Sequence, residues 1–457
     1  MPGETIVFIR KILNRFRSKS GIKENDAQIQ NQKNIALRYL LTFARDRSPW
    51  YKKLLKNVPI QSFTQKHLMD LPILTKTTLM EHWDEIVTDR SLNLNKIIKH
   101  LDKMSQTEEV LPLDNKYLVL STGGSSGKKG IFVYDYETVK KTIEAQERFS
   151  RKRLQVFLNL EPNERPKVAQ VLVKNSVHGM YAFSKLSNQN DRVNYYFPVT
   201  RHIEEIIEGL NQTQPHMISG LPSTIRKLCQ SAKSGHLKIN PGVISVCAEP
   251  LYEPIRELIY QTWPKVLLFN TYGTTEGVVA TNCKPNILYM HLYIANRMFF
   301  PVTKNNQTVN MGDWCDKLIY TNLNYFTIPL INYEIEDRIR FMSEPCSCGN
   351  PHPVIEEPKG RTVNDFVYPG NISVHYLNFS TPLLADGYVV EFHVMQTING
   401  VKINLVSNGP VKKDKIINSI QQSFSNLGLG NAKVEIVEVS NINYLPSGKL
   451  QRFTPLD

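Results

Sequence analysis

Val266-Leu-Leu-Phe-Asn-Thr-Tyr-Gly-Thr-Thr-Glu-Gly277 carries an apolar run straight into a stretch of amide, hydroxyl, glycine and carboxylate groups. The run 266–269 has the character of a buried strand, and the glycines that follow mark a turn at its end. Outward from this point, strand-like runs at 168–174 and 242–248 alternate with helix-like runs at 203–210, 223–232 and 253–262. Such alternation predicts α/β architecture with substantial parallel sheet. After Asp313 strand-rich segments take over, and Lys359-Gly360-Arg361 marks a change of character. From 362 to 457 the chain has strand and helix runs of its own (388–395, 401–406, 415–427, 433–439), long enough for a small α+β domain. The expected organisation is therefore a large unit over 1–361 and a small one over 362–457. Toward the N-terminus, residues 34–56 show apolar residues at helical intervals broken by Ser48-Pro49, which predicts two helices or a kinked one. Tyr117-Leu-Val-Leu120 reads as a short strand that stops in a glycine-and-serine loop.

The 457 residues include 55 Lys and Arg against 42 Asp and Glu, a formal net charge of +13, and 41% are hydrophobic. That balance supports packed cores and excludes global disorder or a collagen-like chain. No apolar run approaches the roughly 18 residues of a membrane span, and the first residues lack an apolar stretch followed by a small-residue cleavage site. A soluble, cytoplasmic protein is expected. Six Cys in a chain this long are too sparse for a disulfide scaffold. The charge is uneven, since residues 1–60 hold 13 Lys or Arg against 4 Asp or Glu. There Ile9, Ile12, Leu13 and Phe16 fall at helical spacing with Arg10, Lys11, Arg15 and Arg17 between them, a short basic amphipathic helix. Such a helix either meets a partner or membrane surface or docks its apolar stripe on the main body. Nucleic-acid binding is not expected, because no aromatic-and-basic stripe or zinc-finger spacing accompanies the charge.

Three segments carry candidate chemistry. Ser121-Thr-Gly-Gly-Ser-Ser-Gly-Lys-Lys-Gly130 follows a strand, and its backbone N–H groups and hydroxyls can wrap a polyphosphate. It is not a P-loop, because Gly123 and Gly127 bracket three residues and Lys129, not Ser or Thr, follows Lys128. Asn270-Thr-Tyr-Gly-Thr-Thr-Glu-Gly277 offers an aromatic face, hydroxyl donors and one carboxylate, a set able to stack a purine, bond a phosphate and hold Mg²⁺. Leu445-Pro-Ser-Gly-Lys-Leu-Gln-Arg452 places a lysine on a Ser-Gly turn. Read singly, each segment is equally well an ordinary surface loop or turn. Separately, Cys283, His291, Cys346 and Cys348 form a C-x7-H…C-x-C set whose thiolates and imidazole suit a closed tetrahedral Zn²⁺ site. The bland alternative is free buried Cys with His291 satisfied in the core, and His352 is a spare ligand.

In this order the three segments resemble the adenylate-forming superfamily of acyl-CoA synthetases and adenylation domains. The finer resemblance, over nearly the whole chain, is to the phenylacetate–CoA ligase branch and its capsule-cluster relatives. It is carried by Ser48-Pro-Trp-Tyr51, Leu71-Pro-Ile-Leu-Thr-Lys76, Gly220-Leu-Pro-Ser223, Cys247-Ala-Glu-Pro250, Thr321-Asn-Leu323 and Ile328-Pro-Leu-Ile-Asn-Tyr333. The resemblance implies a large N-terminal domain of mixed sheets and helices that binds ATP and an acid, and a small mobile α+β domain. It implies that Ser125, Ser126, Gly127 and Lys128 grip the outer phosphates of ATP, with Tyr272 on adenine beside Gly273, Thr275 at the α-phosphate and Glu276 on Mg²⁺. Glu249 and Pro250 would lie beside the adenine, Asp337 would bind the ribose hydroxyls and Arg361 the ribose or phosphate. Lys449 would bridge the acid and the α-phosphate until the small domain rotates about a hinge just after Arg361. The acid pocket would be lined by His178, Gly179, Tyr181, Gly220 and Ala248; His178 is alternatively a packed core histidine. Some members of the branch carry a Cys–His–Cys–Cys metal site in the same regions.

The sequence departs from the family pattern at several points. Asn332 stands where an Arg usually precedes the Tyr, Glu336 replaces a common Gly, and Asp365 lies four residues after Arg361 rather than two or three. Gly124 and Lys129-Gly130 also differ from the usual loop. The implied activity is Mg²⁺-dependent adenylation of a small-molecule carboxylic acid by ATP, then transfer to CoA. Amide formation by attack of an amine, transfer of AMP to a hydroxyl acceptor, and a non-catalytic role within a biosynthetic assembly are the rival readings. The sequence leaves the acid, the acceptor and the existence of a homodimer open.

Overall fold

The computed structural model describes residues 26–122, 130–140, 143, 155–161, 163–172, 176–177, 179–186, 192–199, 201–293, 296–350, 352–359, 366–370, 372–374, 376–386, 388–443 and 450–456. The basic segment 9–17 lies outside them. Helix α1 (Asp26–Arg47) ends at the expected break and α2 (Pro49–Leu54) begins at once. The Ser48 hydroxyl accepts the Tyr51 N–H at 3.2 Å and Pro49 takes the first helical position, so one dipeptide stops a helix and starts another. The short helices α3 (Lys76–Glu81) and α4 (Trp83–Ile86) and the longer α5 (Leu94–Ser105) follow. An antiparallel pair, β1 (Tyr117–Ser121) and β2 (Ile131–Asp135), flanks the glycine-rich loop.

The alternating middle builds an eight-stranded sheet. Its parallel half consists of β3 (Lys167–Leu172), β4 (Val193–Pro198), β5 (Met217–Gly220), β6 (Val243–Cys247) and β7 (Leu267–Gly273). Between these strands run α6 (Gly179–Leu186), α7 (Ile203–Thr213), α8 (Pro222–Lys233) and α9 (Glu253–Thr262). Three antiparallel strands extend it: β8 (Val279–Thr281), β9 (Tyr289–Leu292) and, beyond β10 (Arg297–Val302), β11 (Lys317–Asn322) and β12 (Tyr333–Ile335), β13 (Val354–Glu356). The order is β13-β9-β8-β7-β6-β5-β3-β4, while β10-β11-β12 form a separate sheet. Strand β7 runs four residues further than the apolar run suggests. Asn270–Gly273 reads as turn by polarity, yet Thr271 and Tyr272 pair with Thr281 and Ala280, and the buried Asn270 N–H donates to Asn282 Oδ1 at 2.6 Å. Pairing on both sides satisfies the backbone of this polar strand end.

The C-terminal run holds the pair β14 (Phe366–Tyr368) and β15 (Ile372–Val374), then α10 (Leu377–Ala385), β16 (Val389–Thr397), β17 (Gly400–Ser407), α11 (Lys413–Asn426), β18 (Lys433–Glu438) and β19 (Phe453–Thr454). The last four strands make one sheet, β18-β17-β16-β19. The four expected C-terminal runs fall on β16, β17, α11 and β18. Phe379, Phe392, Phe424 and Phe453 share one apolar cluster with Ile225, Ile255 and Leu228 from α8 and α9, so the C-terminal sheet and its helices rest on that side of the large sheet. A second cluster ties the N-terminal helices to β10, β11 and β12.

Two sequence segments far apart meet here. Leu74 N–H donates to the Asn332 carbonyl at 2.9 Å, Glu334 N–H to the Leu74 carbonyl at 3.0 Å, and the Tyr51 hydroxyl to the Pro329 carbonyl at 2.7 Å. Asn332, the departure from the family pattern, is fully buried at φ 52°. Its Nδ2 donates to the carbonyls of Leu68 and Leu71, a role an amide fills and a longer guanidinium does not fit without displacing the loop. Asn332→Ala strips two buried carbonyls of their donor and puts Cβ chemistry with no polar relief in the left-handed region. A loss of about 2–4 kcal/mol is expected, read as a lower midpoint in denaturant with unchanged slope.

Candidate active site and metal cluster

The hairpin between β7 and β8 presents the nucleotide candidates. Thr274 N–H donates to the Val278 carbonyl at 2.9 Å and Gly277 N–H to the Thr274 carbonyl at 3.0 Å, closing the turn. Gly277 has φ 98°, a conformation that disfavours any side chain. From the end of β7 the Tyr272 hydroxyl donates to Asp337 Oδ2 at 2.7 Å. Asp337, two residues past β12, is buried. The proposed adenine and ribose residues, distant in sequence, are thus one hydrogen-bonded pair. Gly273 beside them has open space where a Cβ would project.

Glu276 is only 5% exposed and sits in a shell of phenols. The Tyr333 hydroxyl donates to Glu276 Oε1 at 3.4 Å, Tyr320 to the Glu276 carbonyl at 3.3 Å, and Tyr134 to the Thr275 carbonyl. Asn322 Nδ2 in turn donates to the Tyr320 oxygen at 2.7 Å, and Tyr134 stacks on Tyr325 at 4.4 Å. Burial pushes the phenols of Tyr134, Tyr320 and Tyr325 above their ordinary range, so they stay protonated donors. Tyr333 is the phenol that reaches the carboxylate itself, and the Arg297 guanidinium acts on Tyr134 and Tyr320 within the same shell. One buried carboxylate with substrate phosphates is how Mg²⁺ is commonly held, so Glu276 fits that task by its chemistry.

Cys283, His291, Cys346 and Cys348 converge as their spacing suggests, with ligand atoms all within 4.8 Å of one another. Cys283 Sγ lies 3.6 Å from Cys346 Sγ, and Cys348 Sγ 3.2 Å from His291 Nε2. A tetrahedral zinc with bonds of about 2.3 and 2.0 Å has edges of about 3.8 Å between sulfurs and about 3.5 Å from sulfur to nitrogen. A disulfide would need about 2.05 Å, far shorter than the separation found. His291 Nδ1 lies 2.9 Å from the His352 carbonyl. Donating there leaves the Nε2 lone pair facing the sulfurs, the second-sphere support typical of metal-bound imidazole. His352, the spare ligand, thus contributes its carbonyl. Its ring titrates down at about 4, through burial and then the neighbouring His291. The backbone N–H of Cys348, ahead of side-chain contacts from Cys348, His291 and Cys283, draws the Cys346 thiol down to about 6. Burial, and then the two other thiols, push Cys283 up to about 12. The donor set therefore fits zinc in number, distance and chemistry.

No family model matches the chain. Protein CapK of Staphylococcus aureus is 22% identical over 431 residues, covering 92% of this chain and 87% of that protein. A D-alanine–D-alanyl carrier protein ligase of Bacillus cytotoxicus is 24% identical over 190 residues, 41% of this chain and 35% of the relative. Among solved structures, 2-hydroxyisobutyryl-CoA ligase in the postadenylation state, in complex with an acyl-AMP, superimposes with a TM-score of 0.68 at 15% identity, over 94% of this chain and 90% of that one. The chain has the adenylate-forming ligase fold. The same ligase in its thioesterification state superimposes less well, at 0.57.

Within this adenylate-forming fold the acid-pocket candidates Gly220 and Ala248 fall at the C-terminal ends of parallel strands. Gly220 ends β5, where a Cβ would stand 2.8 Å from the Val171 carbonyl of β3, so strand packing demands its missing side chain. Ala248 follows β6 at φ 67°, strain of about 1–2 kcal/mol for an L residue. Gly179 opens α6, and Met180 Sδ lies 3.8 Å from Cys247 Sγ, placing two soft side chains beside Ala248. Tyr181 is fully buried, and its hydroxyl donates to the Glu108 carbonyl at 3.0 Å, so its side chain is held in the core. Glu249 accepts the Ser223 N–H and hydroxyl, both at 3.1 Å, at the N-terminus of α8, and lies 3.6 Å from Arg452. Pro250 follows it, partly buried. Ser125, Ser126, Gly127, Lys128, His178, Arg361 and Lys449 lie outside the described residues. Sequence reading assigned no role to Tyr134, Tyr320, Tyr333 and Arg452. A tyrosine in a strand reads as ordinary sheet propensity, and only its partner's position distinguishes it.

Proposed function

We propose that this chain is an ATP- and Mg²⁺-dependent adenylate-forming ligase, which activates a small-molecule carboxylic acid as its acyl-adenylate and passes the acyl group to CoA. The observation that carries the reading is the Tyr272–Asp337 pair at 2.7 Å beside a buried, phenol-lined Glu276, within a fold shared with acyl-CoA ligases. A carboxylate oxygen of the acid attacks the α-phosphorus of ATP, the bond from that phosphorus to the bridging oxygen breaks, and pyrophosphate leaves. The thiol of CoA then loses its proton and attacks the acyl carbon, releasing AMP. Bound Mg²⁺ would offset the phosphate charge that builds up as these anions meet.

The chain's own residues orient the nucleotide. Tyr272 offers its ring to adenine and its hydroxyl to Asp337, which steers the carboxylate toward a ribose. Glu276, held by Tyr333 and the Tyr320 contact at its carbonyl, presents a fixed charge for the metal. By family resemblance Ser125, Ser126, Gly127 and Lys128 hold the outer phosphates, Thr275 the α-phosphate, Arg361 the ribose, and Lys449 joins acid to α-phosphate. Residues 1–361 and 362–457 act as two units, the second rotating between steps. The zinc, closed off by four protein ligands, has a structural task only. The setting is cytoplasmic, where ATP, CoA and reduced thiols coexist.

Pyrophosphate release from ATP and Mg²⁺ across aryl, fatty, hydroxy and amino acids, with and without CoA and with product masses, tests the reading. Acid-dependent release that yields a thioester is expected. Adenylate unchanged by CoA points to an amine or hydroxyl acceptor, and silence with every acid overturns the proposal. Tyr272→Phe keeps the ring and loses the donor to Asp337. The KM for ATP is expected to rise about 3- to 10-fold with kcat little changed, the worth of one hydrogen bond. An unchanged KM would remove Tyr272 from ribose positioning.

A further inference from the structure

The C-terminal part meets the large sheet through a polar seam that includes Glu249, a residue the family resemblance puts beside the adenine and whose contacts in the structure are Ser223 and Arg452. Arg226 of α8, nearly buried, donates to the carbonyls of Val390 and Asp386, each at 3.2 Å. Its neighbour Lys227 pairs with Glu391 of β16. On the other side Arg452 reaches Glu249 at 3.6 Å, with side chains only 9% and 5% exposed. The Arg452 guanidinium lies 5.6 Å from the Phe392 ring and 5.9 Å from the Tyr252 ring. Its backbone is fixed as well, since the Val394 N–H donates to the Arg452 carbonyl at 2.8 Å where β19 begins. Arg452 is therefore tied to the C-terminal sheet by its main chain and to the large sheet by its side chain. It is also three residues after Lys449.

We propose that Glu249 and Arg452 form a latch that holds the C-terminal part in the arrangement for acid activation, which makes Arg452 a positioning residue for the first half-reaction. The inference rests on the ligase reading above. A buried ion pair roughly breaks even against the hydration of its separated members, whereas either member left alone in the seam is costly. Such a contact is firm when both charges are apposed and releases at little net expense when both return to water. An apolar contact of the same area would resist release. Glu249 also accepts the N–H and the hydroxyl of Ser223 in the first turn of α8, so its carboxylate stays anchored in place when Arg452 departs.

ATP–pyrophosphate exchange in Arg452→Met, Glu249→Gln, the double variant and Arg452→Lys tests the latch. Each single change is expected to lower kcat for exchange by about 5- to 50-fold, with the KM for ATP within about twofold. The double variant is expected to be no slower than the worse single one, and Arg452→Lys to recover most of the rate. Transfer from pre-formed acyl-adenylate to the acceptor stays at the wild-type rate. Trypsin cleavage after Lys359 and Arg361 is expected to be faster in Arg452→Met. A raised KM for ATP confined to Glu249→Gln would place that carboxylate on the nucleotide and overturn the latch, as would additive losses in the double variant. A wild-type protein without acid-dependent exchange refutes the ligase reading itself. The latch then stands on cleavage alone, and an unchanged cleavage rate in Arg452→Met refutes it.

Discussion

Glu276→Gln is expected to reduce acid-dependent pyrophosphate release by on the order of 10²- to 10³-fold, the scale at which one preorganised electrostatic contact to a transition state is felt. The change removes a charge and almost no volume. The amide oxygen can still accept from Tyr333, and the Glu276 carbonyl, to which Tyr320 donates, is untouched. Fold stability should therefore stay within about 1 kcal/mol of the parent. What is lost is the fixed negative point for Mg²⁺, so the loss should shrink as Mg²⁺ is raised. Steady-state release at several Mg²⁺ concentrations checks both parts. A reduction below about threefold, with the fold intact, would take Glu276 out of the metal site.

Metal removal is the second large effect. Purified protein is expected to hold one zinc per chain, and a strong chelator to lower the thermal midpoint by on the order of 10 °C. Structural zinc contributes roughly 10–16 kcal/mol in isolated small domains, and a 10 °C drop in a unit as long as 1–361 takes about 7–8 kcal/mol, roughly half to three quarters of that. The reason lies in what the four ligands join. Cys283 follows β8, His291 is on β9 and pairs with Val354 of β13, and Cys346 and Cys348 lie in the loop ahead of β13. The ion would pin the outer, antiparallel edge of the sheet whose hairpin carries Tyr272 and Glu276. Cys348→Ser should reproduce most of the loss and remove the zinc. Less than about half an equivalent by elemental analysis, with an indifferent melting curve, would mean that the cluster works as free thiols.

Much of this architecture is legible in the chain because it depends on local periodicity. The Ser48-Pro49 break, the helices over 203–213, 222–233 and 253–262, the strands between them and the C-terminal pattern all follow from spacing and turn residues. The spacing of Cys283, His291, Cys346 and Cys348 likewise pointed to a candidate metal site, and the structure brings their four ligand atoms together. Asn270–Gly273 misleads, because polarity there imitates a turn while strand partners on both sides make it sheet. Asn332 reads as a weakened family position. Its burial and its bonds to Leu68 and Leu71 make it instead the joint between two segments that the resemblance had picked out separately.

By itself the sequence determined the α/β class, the helix and strand order, and the identity of Cys283, His291, Cys346 and Cys348 and of Tyr272, Glu276 and Asp337 as candidates, all of them properties of residues within a few positions of one another or of recognisable motifs. Only the tertiary structure decided that Tyr272 bonds Asp337, that Tyr134, Tyr320 and Tyr333 surround the Thr275-Glu276 peptide, and that Glu249 faces Arg452. Those contacts join strands and loops remote in sequence. Their partners are set by strand order and by how the C-terminal sheet packs on α8 and α9, which no local pattern encodes.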